Sequence, residues 1–352
     1  MYSFFKRLLS LILTRSLYFR LANFIKKIIF NINYFFCYSN INIDNKINIK
    51  QDLIIIGQIQ RSGGTLLSQL FDGHSQIYNY PSELKISEPK HLWENGFKFT
   101  TYHLDSLLVK SSKFGDYKKD GLNKNKNKIK KINKFKFNFY KQKKIFNSYK
   151  PFQNNRQKFN AYFSSFFSSF VNYSGHQLNK KYIVAFTPRL FNSKKNINIF
   201  FDLYKKGKMI SIIREPENWF VSSYHHTNEY KDFDYAMNLW CESLKNTIWA
   251  KKKWRNKVII INFNDLVKNT NSTMKKICFN LNIKFSKEIT VPTFNNEHIR
   301  SDSSFKSVIG KVDKNVTNNK LRNKFVKLNP HQIKKLSNFK KIFKKAISSK
   351  IS

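Results

Sequence analysis

Glycine is scarce here, with 10 in 352 residues, so two adjacent glycines stand out as a feature. Cysteine is scarcer. Cys37, Cys241 and Cys278 are odd in number, widely spaced and without a CxxC pair. That pattern excludes a disulfide framework and a structural zinc site, and it fits a reducing compartment. The histidines are scattered with no HxxxH or HExxH spacing, so no metal is expected. Acidic residues are few, 21 against 65 Lys and Arg. Long apolar runs are missing as well. Lys6, Arg7, Arg15, Arg20, Lys26 and Lys27 interrupt the apolar N-terminal sequence, and its longest uncharged run, Leu8 to Thr14, is too short to span a bilayer. No small-x-small site follows it, as a cleaved leader would need.

What is abundant is lysine. The formal net charge of +44 suits a polyanionic partner, nucleic acid or an anionic membrane. The excess, however, is Lys rather than Arg, and it comes with many Asn, Ile, Phe and Tyr. These residues share A/T-rich codons, so genome bias explains much of it. Residues 1–45 read as a basic, apolar extension. The alternatives for it are an amphipathic helix touching a membrane or the domain's own surface, and a poorly ordered tail. A domain is expected over 46–345, interrupted at about 110–157 by a Lys/Asn-rich insertion of low complexity. That insertion is read as a mobile loop or loosely formed helix. The expected location is cytoplasmic, with membrane association as the variant that the extension allows.

The chain is organised around Leu53 to Gly73. Leu53 to Gly57 is apolar or Gly, a run suited to a strand buried on both faces. A polar loop ends in Arg61-Ser62-Gly63-Gly64-Thr65. Leu66, Leu67, Leu70 and Phe71 then recur at helical spacing up to Gly73. Strand, glycine loop and helix together aim backbone N–H groups and a helix N-terminus at an anion. Gly63 and Gly64 permit a tight turn and close approach. Arg61 adds a fixed positive charge. An ordinary strand-to-helix turn with a surface Arg would use the same residues. The ATP-binding GxxxxGK[ST] pattern is absent, since Ser62 and Gly63 stand where it needs Gly and Lys.

Further short apolar runs predict strands at Ile77–Tyr80, Tyr182–Phe186, Met209–Ile213 and Val258–Ile261. Pro81 should end the first of these, leaving Glu83 just past its C-terminal end. Helices are expected around Ala161–Tyr173, over Asn196–Tyr204, from Pro216, over Phe233–Lys253, and from a cap at Asn264-Asp265 through Leu266, Met274, Ile277 and Leu281. Buried strands alternating with helices predict an α/β fold of three layers: a central, mainly parallel sheet flanked by helices, P-loop NTPase-like.

A second constellation follows the fourth strand. Arg214-Glu215-Pro216 leaves its C-terminal end, and Ser222 lies eight residues beyond Arg214 on the next helix. A guanidinium grips phosphate through two N–H groups, and a hydroxyl adds a third bond. A surface Arg followed by a helical Ser would look the same.

Taken together, the two motifs resemble those of the PAPS-dependent sulfotransferases. In that family a [KR]-[ST]-G-[TG]-[TS] loop holds the 5′-phosphosulfate of 3′-phosphoadenosine 5′-phosphosulfate. An R-[DNE]-P segment with a Ser eight residues on holds the 3′-phosphate. INFNDLVKNTNSTMKKICFNLNI is similar to the family's YEDL segment, with Phe263-Asn264 at the Tyr-Glu positions. SSFKSVIGK around Gly310 is similar to a donor-binding loop. Gly64 stands where many members have Thr. The likeness spans roughly residues 50 to 330 apart from the insertion.

The resemblance implies sulfuryl transfer from that donor to a hydroxyl of a carbohydrate, lipid or small molecule, without a metal. Donor contacts would come from Arg61, Ser62, Gly63, Gly64, Thr65, Leu66, Arg214 and Ser222, with Arg61 also acting in catalysis. Glu83 would be the general base, with Glu88 in reserve. His74, His225 and His226 are weaker candidates. Arg189 in TPR either faces the acceptor or is a surface residue. The competing readings are a P-loop-type kinase using ATP–Mg²⁺, a non-enzymatic basic nucleic-acid-binding protein, and a sulfotransferase fold that binds donor without transfer.

Overall fold

The computed structural model describes residues 15–84, 136–175, 180–224, 226–301, 308–317, 326 and 328–348. Along the chain these form α1 (Arg15–Cys37), β1 (Asp52–Ile56), α2 (Gly64–Phe71), β2 (Ile77–Glu83), α3 (Phe139–Asn147), α4 (Asn155–Ser169), β3 (Tyr182–Phe186), α5 (Lys194–Leu203), β4 (Lys208–Ile213), α6 (Pro216–Ser223), α7 (Phe233–Trp254), β5 (Val258–Asn262), α8 (Phe263–Lys268), α9 (Thr270–Leu281), the short antiparallel pair β6 (Thr293–Phe294) and β7 (Glu297–His298), and α10 (Pro330–Ile347).

The chain divides into two compact units. In its described part, the first takes residues 15–49 and 137–171. Asn138 and Asn154 cap α3 and α4 through their side chains. Phe159, Phe163, Phe166 and Phe167 of α4 are fully buried. The segment after α1 is tied down by side chains. Lys144 Nζ donates to the carbonyls of Tyr38 and Ile41 at 2.7 and 2.8 Å. Ser168 and Ser164 hydroxyls accept from the Ile47 and Ile49 N–H groups. The insertion, read as a loop or loose helix, thus contains in its described part the capped helix α3 and the start of α4. Its Lys and Asn residues serve there as caps and carbonyl clamps.

The second unit carries the sheet, in the order β2-β3-β1-β4-β5, with every neighbour parallel. Two-sided burial is complete: Leu53, Ile54, Ile55, Ile56, Ile210, Ile259 and Ile260 have no exposed surface. Ile54, Ile56, Ile210, Ile212, Ile259 and Ile261 pack on the face holding Leu67, Leu70, Leu266, Met274, Ile277 and Leu281. Ile213 and Ile260 join the opposite face with Trp219, Phe233, Met237, Trp240 and Leu244. The fold is therefore the three-layer, parallel α/β architecture of the P-loop class.

Two local expectations change. β2 does not stop at Pro81 but runs to Glu83, with a register irregularity between Asn79 and Glu83. A missing N–H is tolerated on an edge strand at a bulge. The helix expected from Asn264-Asp265 to Leu281 is two helices, α8 and α9, with Asn269 between them. The cap of α8 is Asn262, whose side chain accepts from the Asn264 N–H.

Candidate active site

The strand order creates a switch point. From β1 the chain moves to one edge of the sheet and returns in β3. It then crosses to the other side of β1 with β4. Ligands of open α/β sheets bind beyond the C-terminal strand ends at such a point. The loop after β1 and the segment after β4 both leave there.

The loop is held on both sides. Toward β3, the Thr187 N–H donates to the Ile56 carbonyl and the Arg189 N–H to the Gln58 carbonyl. Gln58 is buried; its Nε2 donates to Ser211 Oγ at 2.9 Å, and its Oε1 accepts from Ser243 Oγ. Gln60 is clamped by three side chains. Trp219 Nε1 donates to its carbonyl at 2.7 Å, and Arg189 Nε and the Tyr230 hydroxyl donate to its Oε1 at 2.8 and 2.7 Å. Arg189 also donates to the Tyr230 hydroxyl. At 8% exposure Arg189 is a buried brace of the loop and not a surface residue.

The loop then turns through two left-handed residues, Arg61 (φ 66°) and Gly63 (φ 102°). Gly63 precedes α2, and the Leu67 N–H donates to its carbonyl. A Cβ on Gly63 would meet the Phe263 ring at 2.6 Å; one on Gly64 would meet the Phe186 ring at 2.2 Å. Gly63 is therefore required by packing and conformation, and Gly64 by packing alone. Aromatic rings occupy the space that side chains would take, so the Thr common in the family at position 64 has no room. Ser62 is 3% exposed and its hydroxyl has no partner among the described residues. Thr65 is half-buried in the first turn of α2, and Leu66 is in the core.

Arg214 joins this loop directly. Its Nη1 donates to the Arg61 carbonyl at 3.0 Å and its Nη2 to the Val316 carbonyl at 3.3 Å. Its guanidinium carbon lies 4.4 Å from the Phe263 ring centroid. Trp240 Nε1 donates to the Arg214 carbonyl at 3.2 Å. Arg214 is 4% exposed, and its Nε has no partner among the described residues. Two buried donors, Ser62 Oγ and Arg214 Nε, are thus left unused in one neighbourhood. Such groups are costly unless a ligand meets them. Both are groups able to donate to an anion.

Ser222 lies half-buried on α6. Glu83 is half-buried and ends β2, in register with Phe186, which is itself in register with Ile56. It therefore stands about 10 Å, two strand spacings, from the start of the loop. Leu84 is anchored to β3 through the Phe186 carbonyl and the Thr187 hydroxyl. Of the other base candidates, His74 stands away from the loop, and His226 reaches its brace Tyr230. His74 follows α2, 2% exposed, with Nε2 2.7 Å from the Lys284 carbonyl and Nδ1 accepting from the Gln76 N–H. Burial is the main cause that lowers its pKa below 6.5. It is a packed structural histidine at the opposite end of α2 from the loop. His226 is exposed and stacks 6.3 Å from Tyr230. Glu88 and His225 lie outside the described residues, as does most of SSFKSVIGK. Gly310 is described, with φ 70° and its N–H bonded to the Ile299 carbonyl.

Sequence reasoning missed Gln60, Tyr230, Phe186 and Val316, which no motif marks. Phe263 did carry a signal, standing at a family Tyr position, but its contacts with Gly63 and Arg214 are tertiary. Among the described residues no group of three or more His, Cys, Asp or Glu is placed to hold a metal ion.

Sheet and loop define a P-loop-like parallel α/β scaffold with a glycine turn at its switch point. A sulfotransferase family model matches residues 52–287, from the start of β1 to beyond α9, and the chain belongs to that family. Among solved structures, it is 17% identical to the sulfotransferase domain from the curacin biosynthetic pathway, covering 84% of this chain and 99% of that one at TM-score 0.46. For the sulfotransferase domain of the Synechococcus PCC 7002 olefin synthase the values are 14%, 85%, 98% and 0.45. For the sulfotransferase from Alicyclobacillus acidocaldarius they are 12%, 85%, 93% and 0.40. No curated protein matches this chain.

Proposed function

We propose that this sulfotransferase-family protein moves a sulfuryl group from 3′-phosphoadenosine 5′-phosphosulfate to a hydroxyl of a carbohydrate, lipid or small molecule, in the cytoplasm and with peripheral membrane contact. The observation that carries the donor assignment is the Arg214–loop junction. One buried guanidinium links the two phosphate-type motifs and keeps an unused Nε, while Ser62, next to Arg61 in the loop, keeps an unused hydroxyl.

The donor supplies an activated sulfuryl group and a phosphate leaving group. The backbone N–H groups of Ser62 to Leu66, the Thr65 hydroxyl and Arg61 stabilise charge on that leaving group. Arg214 and Ser222 select a 3′-phosphorylated nucleotide, because without that phosphate the buried Arg214 Nε stays unmatched. Glu83 accepts the acceptor's hydroxyl proton as the new O–S bond forms and the S–O bond to phosphate breaks. No metal is required, since a sulfuryl group carries less charge than a phosphoryl group.

The test is a thermal-shift titration with 3′-phosphoadenosine 5′-phosphate, 5′-AMP and ATP–Mg²⁺, on the wild type and Arg214→Ala. A rise with the bisphosphate alone, lost in Arg214→Ala, is expected. An equal or larger rise with ATP–Mg²⁺ would favour a kinase. No rise with any nucleotide, in a folded sample, would end the enzyme reading.

A further inference from the structure

Helix α1 presents an apolar stripe to solvent. Leu17, Phe24, Ile28, Ile32 and Phe35 recur on one side of the helix, with Ile29 and Phe36 along its edge. Phe24, Phe35 and Phe36 are 60%, 77% and 73% exposed, and the other four are also exposed. Two other positions of the helix are engaged within its own unit. Tyr34 lies 6.5 Å from Tyr140, ring centroid to centroid, and Asn31 accepts from Lys143 Nζ. The helix is thus fixed to α3 by Tyr34 and Asn31, and the stripe is left facing solvent.

Charge identifies what covers it. No Asp or Glu occurs before Asp44, whereas Lys6, Arg7, Arg15, Arg20, Lys26 and Lys27 do. Two copies of such a helix would bring like charges together, which opposes self-association. Nucleic acid offers nothing to the exposed aliphatic Leu17, Ile28, Ile29 and Ile32 of the same stripe. An anionic bilayer surface satisfies both features, taking the apolar face at the headgroup–acyl boundary and the cations at the headgroups. Among the described residues no helix is long and apolar enough to cross a membrane.

We infer that α1 is a membrane-surface anchor. It docks on anionic lipid by inserting Phe24, Ile28, Ile32, Phe35 and Phe36 while lying in the plane of the interface. This gives a defined surface to the membrane contact named above. It also points to an acceptor presented at that surface, such as a lipid headgroup hydroxyl.

The experiment is vesicle co-sedimentation of the full chain, without nucleotide. It compares phosphatidylcholine with phosphatidylcholine–phosphatidylglycerol mixtures, at low and high salt, for wild type and the Phe24→Ser/Phe35→Ser/Phe36→Ser variant. The three side chains are exposed, so the variant folds; circular dichroism and an unchanged response to 3′-phosphoadenosine 5′-phosphate confirm it. Wild type should bind the anionic vesicles, more weakly at high salt, and the variant should lose roughly tenfold or more in affinity per Phe replaced. Absence of wild-type binding, or equal binding by the variant, overturns the inference. A dimer that the variant dissolves, without vesicle binding, would assign the stripe to a second copy instead. Because no nucleotide enters the assay, its failure leaves the donor reading standing.

Discussion

Arg214, at the end of β4, donates from Nη1 to the carbonyl of Arg61 in the loop after β1, at 3.0 Å. The two residues are 153 positions apart in the chain. They meet because β1 and β4 are neighbours and parallel, so both strands deliver their C-terminal segments to one edge. The Phe263 ring backs the guanidinium and also presses on Gly63. One ring thus sets the positions of both motifs.

Arg214→Ala should weaken binding of 3′-phosphoadenosine 5′-phosphate by on the order of tenfold to a hundredfold, the worth of hydrogen bonds to a charged group. Arg214→Lys should not restore it, since an ammonium lacks the planar stack on Phe263 and the paired donors. Isothermal titration reads both variants.

Gly64→Ala should destabilise by about 1–3 kcal/mol through overpacking against Phe186. Combining it with Phe186→Leu should recover part of that loss. The signature is a non-additive double-mutant cycle in urea unfolding. Additive effects would mean the loop relaxes away from the ring.

Glu83→Gln should lower kcat by roughly 10²–10⁴-fold while leaving donor affinity unchanged, as for loss of a general base. Once an acceptor is in hand, product formation reads the first and calorimetry the second. A parallel loss of donor affinity would move Glu83 from the chemistry to the architecture of the loop.

His74 should make stability fall in acid. Its folded pKa is lowered below 6.5, chiefly by burial, so the unfolded chain takes up the proton first as pH drops. Its contribution is complete above 6.5 and declines below it, toward the lower folded value. Protonation also turns Nδ1 from acceptor to donor against the Gln76 N–H. Urea midpoints on either side of pH 6.5 should differ in the wild type and differ less in His74→Gln. The pH dependence of turnover should not follow this group.

The strands and the glycine loop were legible because they rest on local rules. A buried parallel strand must be apolar at nearly every position, and Leu53–Ile56, Tyr182–Phe186, Met209–Ile213 and Val258–Ile261 all are. Glycines between a strand and a helix announce a tight turn. The misreadings were also local. Pro81 ends a strand by propensity, yet an edge position with a bulge accommodates it. The low-complexity composition near Lys141 suggested no stable helix, yet Asn138 caps one and Ile145 and Phe146 anchor it.

The order of residues along the chain was enough to specify buried parallel strands, a glycine turn facing a helix start, two basic motifs at strand ends and a basic, acid-free N-terminal stretch. These depend on periodicity, conformation and charge, which neighbours in sequence carry. It took the folded sheet to decide that β4 lies beside β1, that Arg214 grips the Arg61 carbonyl, that Phe186 and Phe263 fill the glycine positions, and that His74 is packed rather than poised. Those depend on strand order and side-chain packing between segments far apart in sequence, where each partner's identity has meaning only once the other is in place.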